Sequence, residues 1–339
     1  MQTKNREYII KEIDNAKNVF LDEEFRVDHP FRTTRLNFGP NVLDTEGERH
    51  AIRKRAWSAF FSRKNIKSVQ FQNIISDAIN DGFNYAIDNK NLFLIAQWMP
   101  NKVILDLLNC GDIDPIEHYH NIHPIIFFLE YGYKPNNYNE AKEYIRSDCF
   151  YKNKDIFKGL PDKDRENDIA LLVGAGVETT VVALEILISK WVKSPTEFST
   201  SLNKLGSDKF VQLLLDNDPP LGLATKYCSK DVVIEGNNLT KGDIVHVSIT
   251  DTNKQAICPF QAATGFINKI KDFLTFGHGR HHCPGHLLAK EELKLVAEKL
   301  CTLNISDFNF TLPDIDRRPN SFRHPTPFSI TPKKINYDF

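Results

Sequence analysis

The residue run 168–192, DIALLVGAGVETTVVALEILISKWV, restricts the fold more than any other stretch of this chain. Apart from Asp168 at its start, it carries only Glu178 and Glu185 as charges before its last three residues. It is long enough to cross a bilayer as a helix. Two carboxylates inside it would be costly in lipid, however, and no basic cluster flanks only one of its ends. We therefore predict a long helix through the core of a soluble protein, with no membrane partner.

Most of the chain before this run is predicted to be helical. Apolar residues recur three and four positions apart over 51–61, 69–87 and 99–109, and more weakly over 116–130 and 138–147. After the run, residues 226–250 alternate β-branched and polar side chains around EGNN and KGD, which indicates a small antiparallel sheet. Strands are also predicted near the end, in HPTPFSITP. The predicted fold class is mainly α with a minor antiparallel β region, in a single domain spanning 1–339.

Composition excludes several partners and compartments. A net charge of −1 over 339 residues gives no electrostatic case for nucleic acid or for an anionic membrane surface. The first residues, MQTKNREYIIKEIDNAK, carry charges throughout instead of the apolar core of a signal peptide, so we expect a cytoplasmic protein. The six cysteines are too widely spaced for a zinc knuckle or a CxxC motif, and too few for a disulfide scaffold. Five of them are expected to be buried small side chains.

The stretch FGHGRHHCPG, residues 276–285, holds the remaining cysteine, Cys283, among three histidines. The segment from Gly277 to Gly279 lets the backbone pass close to a flat or bulky group. Gly285 opens a predicted helix whose N-terminal amides favour an anion, and a thiolate at Cys283 would lie in that field. Such a cysteine would suit a metal ligand or a nucleophile. A small buried side chain is the third possibility, and the local residues leave all three open.

The spacing F-x-x-G-x-x-x-C-x-G is occupied here by Phe276, Gly279, Cys283 and Gly285, and a predicted amphipathic helix follows it. It resembles the cysteine loop of the cytochrome P450 family, the heme-thiolate monooxygenases. The resemblance implies that Cys283 is the axial thiolate ligand of heme b (iron protoporphyrin IX). It also implies that Phe276 packs beside the ligand and the heme, that Gly277 and Gly279 let the loop approach the heme closely, and that His281 contacts a heme propionate.

A second motif lies about a hundred residues upstream. AGVETT, residues 175–180, resembles the oxygen-binding motif of the same family. The resemblance implies that Gly176 leaves room above the heme for O2 and substrate, and that Glu178 and Thr179 form the acid and alcohol pair that relays protons. Taken alone, this window would also fit an ordinary buried helix whose threonine bonds to its own backbone. Two motifs in the expected order and spacing favour the P450 family.

Weaker resemblances extend over most of the chain. FGPNVLDTEGERHAIRKRAWSAFF resembles the loop and helix in which a histidine and a basic residue hold heme propionates, which implies these roles for His50 and Lys54. Either residue would also fit a solvated surface charge. Lys226 stands where a propionate-binding arginine is usual. YIIKEIDNAKNVFLDEEF resembles the second strand and following helix of the family, so we expect a P450 fold trimmed at its N-terminus. The stretch 111–167 is short, which indicates a shortened substrate-cover region.

The E-x-x-R pair is the main departure from the family. Counted back from the sequence DPP at 218–220, its positions fall on Leu213 and Asp216, so neither partner is present. In the family this pair forms a buried network with the loop before the cysteine motif, whose tripeptide reads Asn-Lys-Gln at 253–255. Losing both partners together avoids a buried unpaired charge. We predict that the core there is rebuilt through Leu213 and Leu215.

The resemblance implies a heme-thiolate oxidoreductase, a monooxygenase acting with O2 on a small organic substrate of specialised metabolite biosynthesis. One alternative is an atypical heme-thiolate enzyme that uses peroxide or catalyses a rearrangement; another is a non-catalytic partner protein. Because the sequence shows no flavin or nicotinamide domain, electrons would come from a ferredoxin-like or flavodoxin-like protein. A basic face for that donor is predicted from Arg49, Arg53, Lys54, Arg55, Arg63 and Arg280.

Overall fold

Helices form most of the structure, a computed structural model in which residues 6–30, 32–256, 273–311, 322–325 and 330–333 are described. The helices are α1 Ile13–Leu21, α2 Thr33–Phe38, α3 Gly47–Phe60, α4 Arg63–Ile66, α5 Val69–Asp88, α6 Leu94–Leu107, α7 Pro115–Tyr131, α8 Tyr138–Tyr144, α9 Asp162–Ala175, α10 Glu178–Lys193, α11 Pro195–Leu205, α12 Ser207–Asn217, α13 Ile249–Ala256 and α14 His286–Leu300. The strands are β1 Glu7–Ile10, β2 Phe25–Arg26, β3 Leu223–Cys228, β4 Val232–Ile234, β5 Asn237–Leu239, β6 Ile244–Ser248, β7 Phe308–Phe310 and β8 Ile330–Pro332. The mainly helical prediction is confirmed.

The largest sheet among the described residues combines two strands from residues 7–26 with two from residues 223–248, in the order β1-β6-β3-β2. Strands β3 and β6 pair antiparallel, which confirms the prediction for residues 226–250. Strand β1 adds to the other edge of β6 in parallel, with Glu7 opposite Ile244, so the sheet is mixed and not purely antiparallel as predicted. The hairpin β4–β5 turns at Glu235 and Gly236, whose φ angles of 50° and 73° suit the tight turn that EGNN indicates.

Helices α9 and α10 together form the predicted central helix. They begin at Asp162, six residues earlier than predicted, and are interrupted at Gly176 and Val177. Among the described residues, the span Asp162–Lys193 is the one helix long and apolar enough to cross a membrane, but 83% of its most apolar window is buried inside the protein. Helix α10 packs against α6 and α14. The central helix is therefore the core element around which the other helices pack.

A buried ion pair joins α3 to the start of the central helix. The side chains of Arg53 and Asp168 are both 0% exposed, and the Arg53 guanidinium donates to Asp168 Oδ2. The other oxygen, Asp168 Oδ1, accepts from Trp57 Nε1 at 2.7 Å and from the Val42 amide at 3.0 Å. The placement of Arg53 on a basic surface was wrong, because its charge is neutralised inside the core.

Asp168→Ala is expected to lower the free energy of unfolding by about 3–5 kcal/mol, because it removes the fully buried acceptor of Arg53 and Trp57 and leaves the Arg53 guanidinium with Asp164 alone. Chemical denaturation of the full chain measures this change. The matched control is Glu166→Gln, which removes an exposed pair with Lys163 whose side chains are 78% and 44% exposed. We expect a loss below about 1 kcal/mol for the control. Equal small losses in both variants would contradict a structural role for the buried pair.

Candidate functional site

The AGVETT motif coincides with the interruption of the central helix. The Gly176 amide donates to both Leu171 O at 3.1 Å and Leu172 O at 3.2 Å, so this turn is wider than a regular α-helical turn. A Cβ at Gly176 would come within 2.6 Å of Leu172 O, a contact that no side chain could relieve. Glycine is therefore required by the backbone geometry of the break.

One face of the break retains accessible surface inside an otherwise buried helix. Gly176 is exposed and Ala175 and Thr179 are partly exposed, whereas Val177 and Glu178 beside them are buried. Ala175 and Gly176 lie four and three positions before Thr179, the separations at which residues are neighbours on one side of a helix. The motif thus presents small groups and one hydroxyl to an open space.

The cysteine loop has a tight fold that depends on glycine. Gly277 and Gly279 have φ angles of 72° and 66°, in the left-handed region that side-chain-bearing residues rarely adopt. The Cys283 amide donates to Phe276 O at 2.8 Å and closes the loop. The Phe276 ring packs near the ring of His286, with centroids 5.8 Å apart. The loop therefore brings Cys283 back beside the aromatic residue that starts the motif.

Two opposing effects act on the pKa of the Cys283 thiol. Burial raises its pKa, while the backbone amides of Gly285 and His286 and the charge of Lys54 act to lower it. A raised pKa is unfavourable for a free nucleophile. It is compatible with a metal ligand, because a metal ion displaces the thiol proton when it binds. Among the described residues, no group of three or more His, Cys, Asp or Glu side chains forms a separate metal site.

The predicted propionate contacts lie near one another, around a carboxylate that was not predicted. Glu46 Oε2 accepts from Arg280 Nε at 3.0 Å and lies 3.1 Å from His281 Nε2. Burial alone would raise the pKa of Glu46, but hydrogen bonding to His281 and the neighbouring positive charges lower it to about 2. Lys226 is buried near this carboxylate, and its burial lowers its pKa to about 8. Glu46 is therefore the counter-ion of this cationic cluster.

His50 and Lys54 complete the cluster from α3. The rings of His50 and His281 are stacked at a tilt with centroids 4.1 Å apart. Burial, followed by repulsion from His281, lowers the pKa of His50 to about 4, and its Nε2 atom is buried without a hydrogen-bond partner among the described residues. Lys54 Nζ donates to the carbonyl of His282, next to Cys283. The two residues lie beside the cysteine loop, so the interpretation of either as a solvated surface charge is wrong.

A polar network occupies the place of the missing E-x-x-R pair. The buried Asp216 carboxylate accepts from Gln212 Nε2 at 2.8 Å and from Thr275 Oγ1 at 3.1 Å. The side chain of Asn253 donates to Asp216 O at 3.0 Å and to Thr275 Oγ1 at 2.9 Å, and accepts from the Leu274 amide at 2.8 Å. Leu215 is buried in the core there, as predicted, whereas Leu213 is only partly buried, and the polar network was not predicted. Four polar side chains connect α12 and α13 to the start of the cysteine loop.

Glu178 differs from Thr179 in its surroundings. Its carboxylate is 1% exposed, and Glu178 Oε1 lies 3.2 Å from His324 Nε2. The other ring nitrogen, His324 Nδ1, lies 2.8 Å from Glu185 Oε2. His324 and Glu185 were not predicted as site residues. The sequence did indicate that such a partner exists, because two carboxylates in an apolar helix need a buried cation or proton to balance their charge.

Comparison with known sequences connects the site to one family. The family model described as cytochrome P450 matches residues 218–339, which include the cysteine loop. Cytochrome P450 CYP107DY1 of Priestia megaterium is 23% identical over 279 residues, covering 75% of this chain and 67% of that protein. Pentalenolactone synthase of Streptomyces exfoliatus is 26% identical over 133 residues, covering 37% of this chain and 33% of that protein. The second similarity thus spans only a third of the relative's length.

Solved structures show the same fold over nearly the whole chain. P450BioI, solved in complex with an acyl carrier protein ligated to hexadec-9Z-enoic acid, has a TM-score of 0.76 at 17% identity and covers 96% of this chain and 91% of its own. A cytochrome P450 from the archaeon Picrophilus torridus has a TM-score of 0.78 at 16% identity, with coverage of 98% and 99%. The predicted P450 fold is confirmed.

Asp216→Ala is expected to reduce the free energy of unfolding by about 1–3 kcal/mol, because the partly buried donors of Gln212 and Thr275 lose the buried carboxylate that they share. Asp208→Ala on the same helix is the matched control, since its side chain is 91% exposed. Chemical denaturation compares the two variants. If Asp216→Ala were as stable as the control, the polar network would not be what holds the cysteine loop.

Proposed function

We propose that the chain is a heme-thiolate monooxygenase of the cytochrome P450 family acting on a small organic substrate, because the P450 family model matches residues 218–339 and solved P450 structures share its fold. In the proposed reaction one oxygen atom of O2 enters the substrate and the other leaves as water, with two electrons and two protons consumed. The observation that carries the proposal is the setting of Cys283, whose thiol faces the amides of Gly285 and His286 beside a cationic cluster.

The residues present fit a heme. Cys283 would bind its iron through sulfur, and the buried Nε2 atom of His50, which has no hydrogen-bond partner among the described residues, would gain one from a propionate. Lys54 and Lys226 would supply positive charge to the propionates, and His281 would offer a ring nitrogen for hydrogen bonding. Because Glu46 already binds His281, a propionate would share these cations with it or displace it. When bound, the heme supplies the iron that binds O2 and accepts electrons singly.

The side chains around the heme would have separate tasks. Cys283 would hold the heme iron as a thiolate and would supply electron density to it, while the amides of Gly285 and His286 would moderate the charge on sulfur. Gly176 leaves space where a side chain would collide with Leu172 O. Glu178 and Thr179 would hold and transfer protons, Glu178 from a carboxylate whose Oε2 atom has no partner among the described residues.

The electron donor is proposed to be a separate acidic protein, ferredoxin-like or flavodoxin-like. Arg49 and Arg55 are exposed on α3, the helix that also carries His50 and Lys54 beside the cysteine loop. Arg63 is exposed at the start of α4, and Arg280 is partly exposed with its charge paired to Glu46. These four residues form the proposed donor surface.

The substrate is proposed to belong to specialised metabolism, in line with relatives such as pentalenolactone synthase. Residues 111–167 are proposed as a shortened substrate cover, in which α7 and α8 pack against each other. We propose that the whole chain is one heme-binding domain in the cytoplasm. These assignments rest on family resemblance, because fold alone does not define a substrate.

Reduced wild-type protein loaded with heme is expected to give a strongly red-shifted Soret band with CO, since a thiolate lies opposite CO. Cys283→Ser should lack this band, whether or not the variant still binds heme. Cys301→Ser is the control because Cys301 lies after α14, where its sulfur accepts from Ser199 Oγ at 3.4 Å. A band that persists in Cys283→Ser would contradict the ligand assignment. Product formed with peroxide, and none with an electron donor, would favour the peroxide-using alternative.

The double variant Arg49→Glu, Arg55→Glu is expected to raise the KM for an acidic surrogate ferredoxin by about tenfold at low salt, because it reverses charge on the donor surface. The effect should decrease at high salt, since exposed charges are screened. Lys152→Glu with Lys154→Glu, between α8 and α9, carries the same change of charge and is the control. An identical KM in both double variants would exclude this surface.

A further inference from the structure

A three-residue chain of ionisable groups connects α10 to the segment 322–325. His324 bridges Glu178 Oε1, 3.2 Å from its Nε2, and Glu185 Oε2, 2.8 Å from its Nδ1. The two carboxylates are seven residues apart and therefore lie on one face of α10. Their side chains are 1% and 5% exposed, whereas the side chain of His324 is 40% exposed. The histidine is thus the accessible member of an otherwise buried group.

The arrangement of this group favours an imidazolium ring. Both ring nitrogens face carboxyl oxygens, so when both acids are ionised both nitrogens must carry hydrogen to make hydrogen bonds. Although burial alone would lower it, hydrogen bonds to Glu178 and Glu185 raise the pKa of His324 to about 10. Burial raises the pKa of Glu185. Tyr119 is the other ionisable group here, with its hydroxyl 3.5 Å from Glu178 Oε1.

A purely structural role for this ion pair does not explain two features of the group. Glu178 Oε2 is buried and has no hydrogen-bond partner among the described residues, although its sister oxygen is bonded. The neighbouring residue, Thr179, has accessible surface on the open face of the helix break. A carboxyl with one oxygen bonded to a charged donor and the other unbonded suits a group that receives a proton on one side and releases it from the other.

We propose that His324 is the proton donor that recharges Glu178 during oxygen activation, and that Glu185 holds the imidazole ring in the orientation for this transfer. This role rests on the proposed monooxygenase function. Glu178 would be the catalytic acid, His324 its proton source and Glu185 a positioning residue. The sequence motif AGVETT contains only the first of the three.

The transfer balances in two steps. The proton on His324 Nε2 moves to Glu178 Oε1, which leaves a neutral ring whose Nδ1 hydrogen still bonds to Glu185, and a neutral Glu178 carboxyl. Glu178 then releases a proton toward Thr179 and the reacting oxygen and becomes a carboxylate again. Solvent water restores the proton at Nε2 through the accessible part of the His324 side chain. Each passage therefore moves one proton inward with no net change in the protein.

The first test measures the protonation of the His324 ring and does not depend on enzyme activity. In reduced, CO-bound holoprotein labelled with 15N-histidine, the His324 signals are assigned by their loss in His324→Gln. In the wild type we expect the His324 ring to be protonated at pH 8. In Glu178→Gln and in Glu185→Gln we expect the acid dissociation constant of the ring to increase about tenfold or more, because each variant removes a negative charge that stabilises the imidazolium. A neutral His324 ring at pH 8 in the wild type would overturn the proposal.

The second test measures proton delivery through the rate of O2 consumption. With a surrogate ferredoxin and reductase, O2 consumption by His324→Gln is expected to decrease about tenfold or more, as in Glu178→Gln, with an altered solvent isotope effect. His120→Gln, at an exposed histidine on α7, is the matched control and should equal the wild type. The CO spectrum should be the same in all four proteins.

The two tests separate failure of this inference from failure of the proposed function. A wild-type CO band with normal O2 consumption in His324→Gln, but slowed consumption in Glu178→Gln, would overturn the role of His324 alone. A wild type without the thiolate band or without O2 consumption would overturn the proposed function and the relay together, even if the NMR titration shows a protonated bridge.

Discussion

The Asp216 carboxylate makes the interaction on which the geometry of the cysteine loop depends. It lies at the end of α12 and accepts from Thr275, one residue before the loop motif begins. Asn253 then bonds to the backbone of Asp216 and of Leu274, so α13 is held by the same network. In a buried setting each of these groups must be satisfied, because an unpaired donor or acceptor would cost about 1–3 kcal/mol. The network therefore fixes the loop by making other arrangements unfavourable.

The central helix is both the apolar core of the protein and the carrier of buried charged side chains. Its apolar residues form the core, yet it also contains two buried carboxylates and a break in its hydrogen bonding. Buried carboxylates need partners, and His324 supplies one positive ring for both. The Arg53 and Asp168 pair does the same at the start of the helix. The buried acids Asp168, Glu178 and Glu185 of this helix are thus matched by residues from distant parts of the chain.

The sequence predicted the elements and the motifs because these depend on local spacing. Helix α5 and the β3–β6 pairing match their predicted residues closely, and the glycines of the cysteine loop have the positive φ angles that the motif requires. It could not predict the partners. Glu46, His324 and the residues around Asp216 are joined to the site by contacts between segments up to hundreds of residues apart. Surface placement of Arg53 failed for the same reason, since helical periodicity does not reveal a distant acid.

The parallel pairing of β1 with β6 has a consequence for the order of folding. The amide of Arg6 bonds to the side chain of Asp243, 237 residues later, and Glu7 lies opposite Ile244. During synthesis, β1 must wait for its neighbour β6 until more than two hundred further residues have been made. Contacts at such separation carry a large loop-closure cost and form slowly. Strand β1 is therefore ordered long after it is translated, and until then β6 presents an open edge that a second chain can occupy.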